Sequence, residues 1–168
     1  MKQVKTLLLA TILCIGTVSF TQAQSKVAHI NTQELIQAMP EMKAAEAELK
    51  TLSETYQKDF QAMATEYQNT LKQFEAEASS KTEEENQKRG LELQEKQQRI
   101  QKFNADAQQD IAKKQEELIK PISEKAKAAI LKVGKAQGFD YVLDSSVGVA
   151  ILTDGKDLLG DVKKELGI

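Results

Sequence analysis

The chain lacks most of the residues on which disulfides, metal centres and covalent catalysis depend. It has one Cys, one His and no Trp among 168 residues. Cys14 lies within residues 1–23, which we interpret below as a cleaved leader, so the rest of the chain contains no thiol. A disulfide, a cysteine nucleophile and a cysteine-ligated metal are therefore excluded, and stability has to come from packing and assembly.

The remaining polar candidates for chemistry fit structural roles better than catalytic ones. His29 lies on a predicted strand with the same parity as Val27, without a second His or a Cys to share a metal. Gly155-Lys156 departs from a phosphate loop, because Asp157 stands where Ser or Thr is required. The acidic residues near the end fit no EF-hand spacing and are typical of turns and helix starts: Asp140, Asp144, Asp154, Asp157 and Asp161. We expect no enzymatic activity, no catalytic residue, no metal and no cofactor.

Residues 1–23 have the pattern of a secretory signal peptide. Lys2 and Lys5 precede an apolar run of about 14 residues, shorter than the roughly 20 that span a bilayer. Small residues before Gln24 predict cleavage near Ala23 and export of the remainder. Cys14 follows a leucine, whereas a bacterial lipid-anchor site needs a small residue before the cysteine, so we do not expect lipidation.

Charge argues against nucleic acid as a partner. Without the two lysines of the leader, the 23 basic residues fall to 21 against 25 acidic ones, a formal charge of −4. Domains that bind phosphate backbones usually carry a basic excess on one surface. An exported protein also works where ATP is absent, so its function has to proceed without nucleotide.

The two prolines predict the limits of a long helical hairpin at 40–121. Pro40 and Pro121 suit helix starts or ends better than helix interiors, and only one glycine, Gly90, lies between them. The cluster at 79–82 is the one loop-like break, and it falls midway. Thr82 begins a capping-box pattern that would restart the helix after a tip near 79–82.

Apolar residues on the outgoing arm recur every eleven residues. This period, 3.67 residues per turn, predicts a nearly straight or slightly right-handed seam. The series are Ala45, Tyr56, Tyr67; Leu49, Phe60, Leu71; and Leu52, Met63, Phe74. The return arm shows the same period more sparsely, notably from Ile100 to Val133.

A band of large side chains on the outgoing arm is open to two interpretations. These residues fill the seam between the arms, or they face a cavity and offer apolar contact to another protein. Two helices cannot enclose a wide stripe, so both interpretations can hold. The candidates are Tyr56, Phe60, Met63, Tyr67 and Phe74. On the return arm, 83–98 is poor in apolar residues and contains Gly90, so we expect the tip half to bend and fray more readily than the base.

The segments outside the hairpin, 24–39 and 122–168, predict a small β-rich body. Strands are expected at 26–30, 139–143 and 148–152, and a short helix at 158–166. A core of this size rarely supplies more than about 3–5 kcal/mol. Self-association of the body is therefore expected, and the fold class is α+β, with a long antiparallel α-helical hairpin standing on a small β-strand body.

The chain from residue 24 onward resembles the Skp (OmpH-like) family of periplasmic chaperones, and its two ends are the most specific part of the resemblance. The likeness is carried by the opening KVAHINTQELIQAMPEMKAA, by IKPISEKAKAAILKVGKAQGFDYVLDSS, and by the tail VAILTDGKDLLGDVKKEL. The resemblance implies a periplasmic homotrimer whose strands form a β body and whose hairpins project as tentacles around a cavity. It also implies that unfolded outer-membrane proteins are held there without ATP, with transient contact to the membrane surface.

The resemblance also implies a division of roles among residues. Those expected in the trimer body are Val27, Ile30, Val142, Leu143, Val149 and Ile151, and the band on the outgoing arm is expected to serve arm packing and the cavity. The chain departs from the strongly basic enterobacterial members, so a lipopolysaccharide site of clustered cations is not transferred. A structural or adaptor coiled coil of the cell envelope remains the alternative.

Overall fold

A computed structural model describes residues 25–148 and 154–168. Its elements, in order, are β1 (Val27–Ile30), α1 (Thr32–Ala38), α2 (Pro40–Glu77), a 3₁₀ turn (Ala78–Ser80), α3 (Glu83–Ala136), β2 (Tyr141–Asp144), β3 (Lys156–Asp157) and α4 (Leu159–Leu166). The predicted fold class, a long helical hairpin with a small sheet, is confirmed. The leader and nearly all of the strand expected at 148–152 lie outside the described residues.

Side-chain caps begin α1 and α3, and a proline begins α2 between them. The Asn31 side chain accepts a hydrogen bond from the backbone N–H of Glu34 at 2.9 Å and begins α1. Pro40 occupies the first turn of α2, where its missing N–H costs nothing. At the tip, Thr82 and Glu85 form both hydrogen bonds of a capping box and start α3.

Pro121 lies near the base of the hairpin, next to the core residue Ile122, but it does not limit a helix as expected. It lies inside α3, which continues without interruption to Ala136. A proline inside a helix frees the carbonyl four residues earlier, here that of Glu117. Pro121 is exposed, so water can reach this side of the helix and satisfy the freed carbonyl. The helical part of the return arm therefore extends into the body.

In the described residues, the body contains a parallel sheet of three strands in the order β2-β1-β3. β1 is its central strand, with Ala28 aligned to Val142 on one side and to Lys156 on the other. β3 was not predicted because its two residues, Lys156 and Asp157, are polar and carry no strand pattern. The sheet thus joins the two ends of the chain.

The core lies where the sheet, α1, α4 and the base of the hairpin meet. Its buried residues are Ala28, Ile30, Leu35, Met39, Ala45, Ile122, Ala126, Ala129, Val133, Leu158 and Val162. Gly134 allows close packing of α3 on β2, since a Cβ at this position would lie 3.0 Å from Cγ2 of Val142. Gly138, with φ of 70°, turns the chain from α3 toward β2. This packing fixes the direction in which the hairpin leaves the body.

Beyond this core the hairpin is a two-helix structure. The 38 residues of α2 correspond to about 57 Å at 1.5 Å per residue. Between residues 40 and 121, only Ala45 and Ala107 are fully buried. Within the described ranges, no helix combines the length and the hydropathy needed to cross a membrane.

Candidate functional site

The candidate residues of the outgoing arm line one side of α2, at the seam with α3. Tyr56, Met63, Tyr67 and Phe74 are half-buried in the seam, whereas the Phe60 side chain is 38% exposed. A third helix or a bound chain would be needed to cover them completely. The arrangement leaves an apolar column, partly open to solvent, along the hairpin.

Tyr56 is held by two contacts from the return arm. Its ring meets that of Phe103 edge to face, with centroids 5.7 Å apart. Its hydroxyl donates a 2.7 Å hydrogen bond to the carboxylate of Asp110. This hydrogen bond raises the pKa of Tyr56 above its ordinary value, because ionisation would place two negative charges side by side. Tyr56 is therefore a contact between the arms as well as part of the apolar column.

Near the tip, Phe74 is in contact with a charged side chain as well as the apolar seam. The Arg89 guanidinium lies over its ring, 4.7 Å from the centroid, and also forms an ion pair with Glu77. The hydrogen bond from Arg89 lowers the pKa of the Glu77 carboxyl. One arginine thus combines a cation–π contact with a salt bridge where apolar packing is thin.

Salt bridges between the arms form a ladder along one side of the hairpin. In the described residues there are four, and each joins an acidic residue of α2 to a basic residue of α3: Glu41 to Lys125, Glu48 to Lys114, Glu66 to Lys96 and Glu77 to Arg89. The pairs run in opposite directions along the two helices, as antiparallel arms require. The hydrogen bond that Lys114 donates to the Glu48 carboxylate raises the pKa of Lys114. These contacts follow the antiparallel register of the arms.

The residues expected in the trimer body divide between two faces of the sheet. Val27 and Leu143 point away from the core and are 41% and 42% exposed. Ile30 is 1% exposed and belongs to the core of its own chain, against which the half-buried Val142 also packs. Val149 and Ile151 lie outside the described residues.

Tyr141 belongs to the exposed face and was missed at the sequence level. It is aligned with Val27 and is 59% exposed. The sequence could have indicated this position, because Tyr141 and Leu143 are alternate residues of one strand and alternate residues share a face. The outer face of the sheet therefore presents adjoining large apolar side chains, which are more often covered than left in water.

A polar cluster fastens the end of β2 to the start of α1. The Asp144 carboxylate accepts a 2.6 Å hydrogen bond from the Thr32 hydroxyl and a 2.9 Å bond from the backbone N–H of Ser146. Burial alone would raise the pKa of Asp144, but these hydrogen bonds outweigh it and lower the pKa. The cluster holds β2 and α1 together. In the described part of the chain, no three His, Cys, Asp or Glu side chains are grouped to hold a metal.

The fold and these surfaces define a protein with one long antiparallel helical hairpin on a small parallel-sheet body. The family model described as outer membrane protein (OmpH-like) matches residues 26–166. The chain belongs to this OmpH-like family.

Relatives and a solved structure agree with this assignment. The chaperone protein Skp of Photorhabdus luminescens is 25% identical over 145 residues, covering 86% of this chain and 87% of the relative. The Skp of Pectobacterium atrosepticum is 21% identical over 154 residues, covering 92% and 93%. A crystal structure from Caulobacter crescentus, assigned as an OmpH-like outer membrane chaperone, gives a TM-score of 0.75 at 19% identity, covering 86% of this chain and 85% of that one. At that identity, the structural likeness concerns the fold.

Proposed function

We propose that this protein is an ATP-independent holdase chaperone of the periplasm, which binds unfolded outer-membrane proteins between the helical hairpins of a homotrimer and prevents their aggregation. Two relatives of the chain are named as the chaperone protein Skp, and the leader pattern at 1–23 supports export. Unfolded membrane β-barrels expose alternating apolar side chains that aggregate in water. A holdase has to cover these side chains reversibly.

One observation carries the proposal: the apolar column of α2 is only partly covered by α3. Phe60 is 38% exposed and its neighbours in the column are half-buried. Partial exposure offers apolar contact to a client without a deep pocket that would select one sequence. Because the two arms already bury part of each side chain, the free protein stays soluble. This combination suits loose binding of many clients.

The body supports assembly of three copies. The outer sheet face, with Val27, Tyr141 and Leu143, is one apolar surface. A second is a groove of about 580 Å³ between α1, α3 and β2, whose apolar lining includes Ile36, Ile130 and Leu131. A closed ring of three copies needs two different surfaces, since each copy contacts the next head to tail. Three hairpins standing on such a ring would enclose a space.

The proposal is tested by the aggregation of a diluted client. A urea-unfolded outer-membrane β-barrel is diluted into buffer with and without the protein, in the absence of nucleotide and detergent, and light scattering is followed. We expect scattering to fall in proportion to the protein added, until the client is saturated. Unchanged scattering at molar excess would refute the holdase function.

A further inference from the structure

The two sides of the hairpin differ sharply in charge. The chain is 29% charged, and every salt bridge between the arms lies on the side we call the ladder flank, defined by Glu48, Glu66, Lys96 and Lys114. On the other side of the seam, long stretches of both helices carry no charged residue at all. The spacing of the charged residues places them on one side of each helix, and the salt bridges show which sides of the two helices lie together.

Helical geometry places the uncharged residues. At 100° per residue, Phe60 lies about 120° around α2 from Glu66, with Met63 between them. On α3, Gln101 lies about 140° around from Lys96, with Ile100 between them. Because Glu66 and Lys96 are paired, their sides of the two helices coincide. The opposite sides therefore coincide as well.

We call this opposite side the uncharged flank. On α2 it comprises residues at spacings of three and four: Ser53, Gln57, Phe60, Ala64, Gln68 and Leu71. On α3 it comprises Gly90, Gln94, Gln97, Gln101, Asn104, Gln108, Ala112, Gln115 and Ile119. Nearly all of these residues are exposed, with Ala64, Leu71 and Ile119 half-buried.

We propose that the uncharged flank is the surface on which an unfolded client lies, held in extended form by apolar contacts and by hydrogen bonds from glutamine and asparagine amides to its backbone. This inference rests on the proposed holdase function and adds where the client lies and what recognises it. An unfolded chain presents N–H and C=O groups along its whole length, whatever its sequence. A side-chain amide can donate to one and accept from the other.

The absence of charge on the uncharged flank suits an unfolded client. A surface without formal charge neither repels nor selects client segments by their sign, and it avoids the cost of desolvating ions when a client covers it. Phe60 and Leu71 supply apolar contact within the same flank. Binding should therefore depend on client hydropathy and backbone, and little on salt.

The length of the flank also suits one strand of a membrane β-barrel. From Gly90 to Ile119 the helix rises about 44 Å at 1.5 Å per residue. An extended chain of about 13 residues covers that distance, slightly more than the roughly 9–11 residues of a membrane-spanning strand. A single strand segment and part of its turn fit along one hairpin.

A second copy of the chain is a weaker match for this flank. Helices of neighbouring copies would associate through apolar residues at spacings of three and four. Along α3 these positions hold glutamine and asparagine from Gln94 to Gln108. Amides at successive positions weaken such packing and leave the flank free for a client.

The test uses two pairs of substitutions with the same chemistry on one helix. Gln101→Glu with Gln108→Glu puts two carboxylates on the uncharged flank. Gln98→Glu with Gln109→Glu puts two on the face of α3 that points away from α2. All four glutamines are exposed, so both variants are expected to fold. The probe is a urea-unfolded outer-membrane β-barrel carrying a fluorophore, titrated after dilution, with the mass of each variant measured in parallel.

We expect the flank variant to bind the probe about tenfold more weakly, because the client then has to cover two carboxylates, and the matched variant to stay within about twofold. For the unchanged protein, raising NaCl from about 0.05 M to about 0.5 M should alter the dissociation constant less than about threefold. Equal affinities of the two variants, or strong salt dependence of the unchanged protein, would overturn the inference. A flank variant with fewer copies per assembly would overturn it too, by making the flank a contact between copies. If the unchanged protein fails to bind the probe at all, the holdase function itself fails.

Discussion

The Thr32 hydroxyl donates a 2.6 Å hydrogen bond to the Asp144 carboxylate and so joins the start of α1 to the end of β2. These residues are 112 positions apart in the chain. The bond thus closes the body around the base of the hairpin. Removing either partner leaves the other partly buried without its hydrogen bond.

Asp144→Ala should therefore destabilise the body by about 1–3 kcal/mol, as expected for a hydrogen-bonded charged group. Thr32→Val should cost less, and the double variant should cost less than the sum of the two single changes. Urea unfolding of the four proteins completes this cycle. Additive effects would show that the two side chains act independently.

Leu35 tests whether the small core carries the stability of the body. It is 0% exposed, between β1 and the base of the hairpin. Leu35→Ala should cost about 2–5 kcal/mol through lost burial and a cavity. Leu91→Ala is the control, because Leu91 is 60% exposed on the outer return arm and should cost less than about 0.5 kcal/mol. Similar losses in both variants, measured by urea unfolding, would contradict this description of the core.

Acid should loosen the hairpin near its tip. Hydrogen bonds from Lys96 and Arg89 lower the pKa values of Glu66 and Glu77 below their ordinary 4.5. A carboxyl with a lowered pKa stabilises the folded state above the ordinary value, and this contribution is lost as pH falls through the lowered value. The ladder should therefore hold at pH 6 and weaken only as pH falls below the ordinary 4.5.

Spin labels on cysteines introduced at Gln68 and Gln98 would report this loosening as a broader distance distribution between the arms. The region after the leader has no native Cys to interfere. The Glu66→Gln, Glu77→Gln variant supplies the control, since it should be broad at both pH values. A narrow distribution in the native sequence at low pH would show that the ladder does not hold the tip.

Phe60 and Phe103 separate client contact from packing between the arms. Phe60 is 38% exposed, so Phe60→Ser should weaken client capture with little change in helix content. Phe103 packs against Tyr56, so Phe103→Ser should reduce thermal stability of the hairpin. Client titration and circular dichroism measure the two effects. Loss of helix content in Phe60→Ser would place that residue in the packing between the arms instead.

The sequence predicted the hairpin well because its signals are local. Pro40 and the capping box of Thr82 and Glu85 each act within one turn of helix, and the structure confirms them. Pro121 was misread because an exposed proline can sit within a helix whose neighbouring turns are held by tertiary contacts. The low helix propensity of proline therefore did not end the helix at this position.

The body was harder to predict because its contacts are distant in sequence. Nothing local to Lys156 and Asp157 indicates a strand, which forms only because β1 offers a free edge. Alternation in a strand predicts two faces but does not tell which of them is buried. Ile30 and Val142 face the core, and Val27 and Leu143 face outward, because of the way the sheet packs on α3. The uncharged flank could not be predicted from the sequence, because only the salt bridges show which faces of the two helices lie side by side.

The most direct test of the whole account is the mass of the complex formed with an unfolded client. The chain from Gln24 onward, without the predicted leader, is mixed with a urea-unfolded outer-membrane β-barrel in the absence of nucleotide, and native mass spectrometry records the species in solution. We expect three copies of the chain alone, and three copies with one client after mixing. A single copy that carries no client would contradict both the assembly and the holding function.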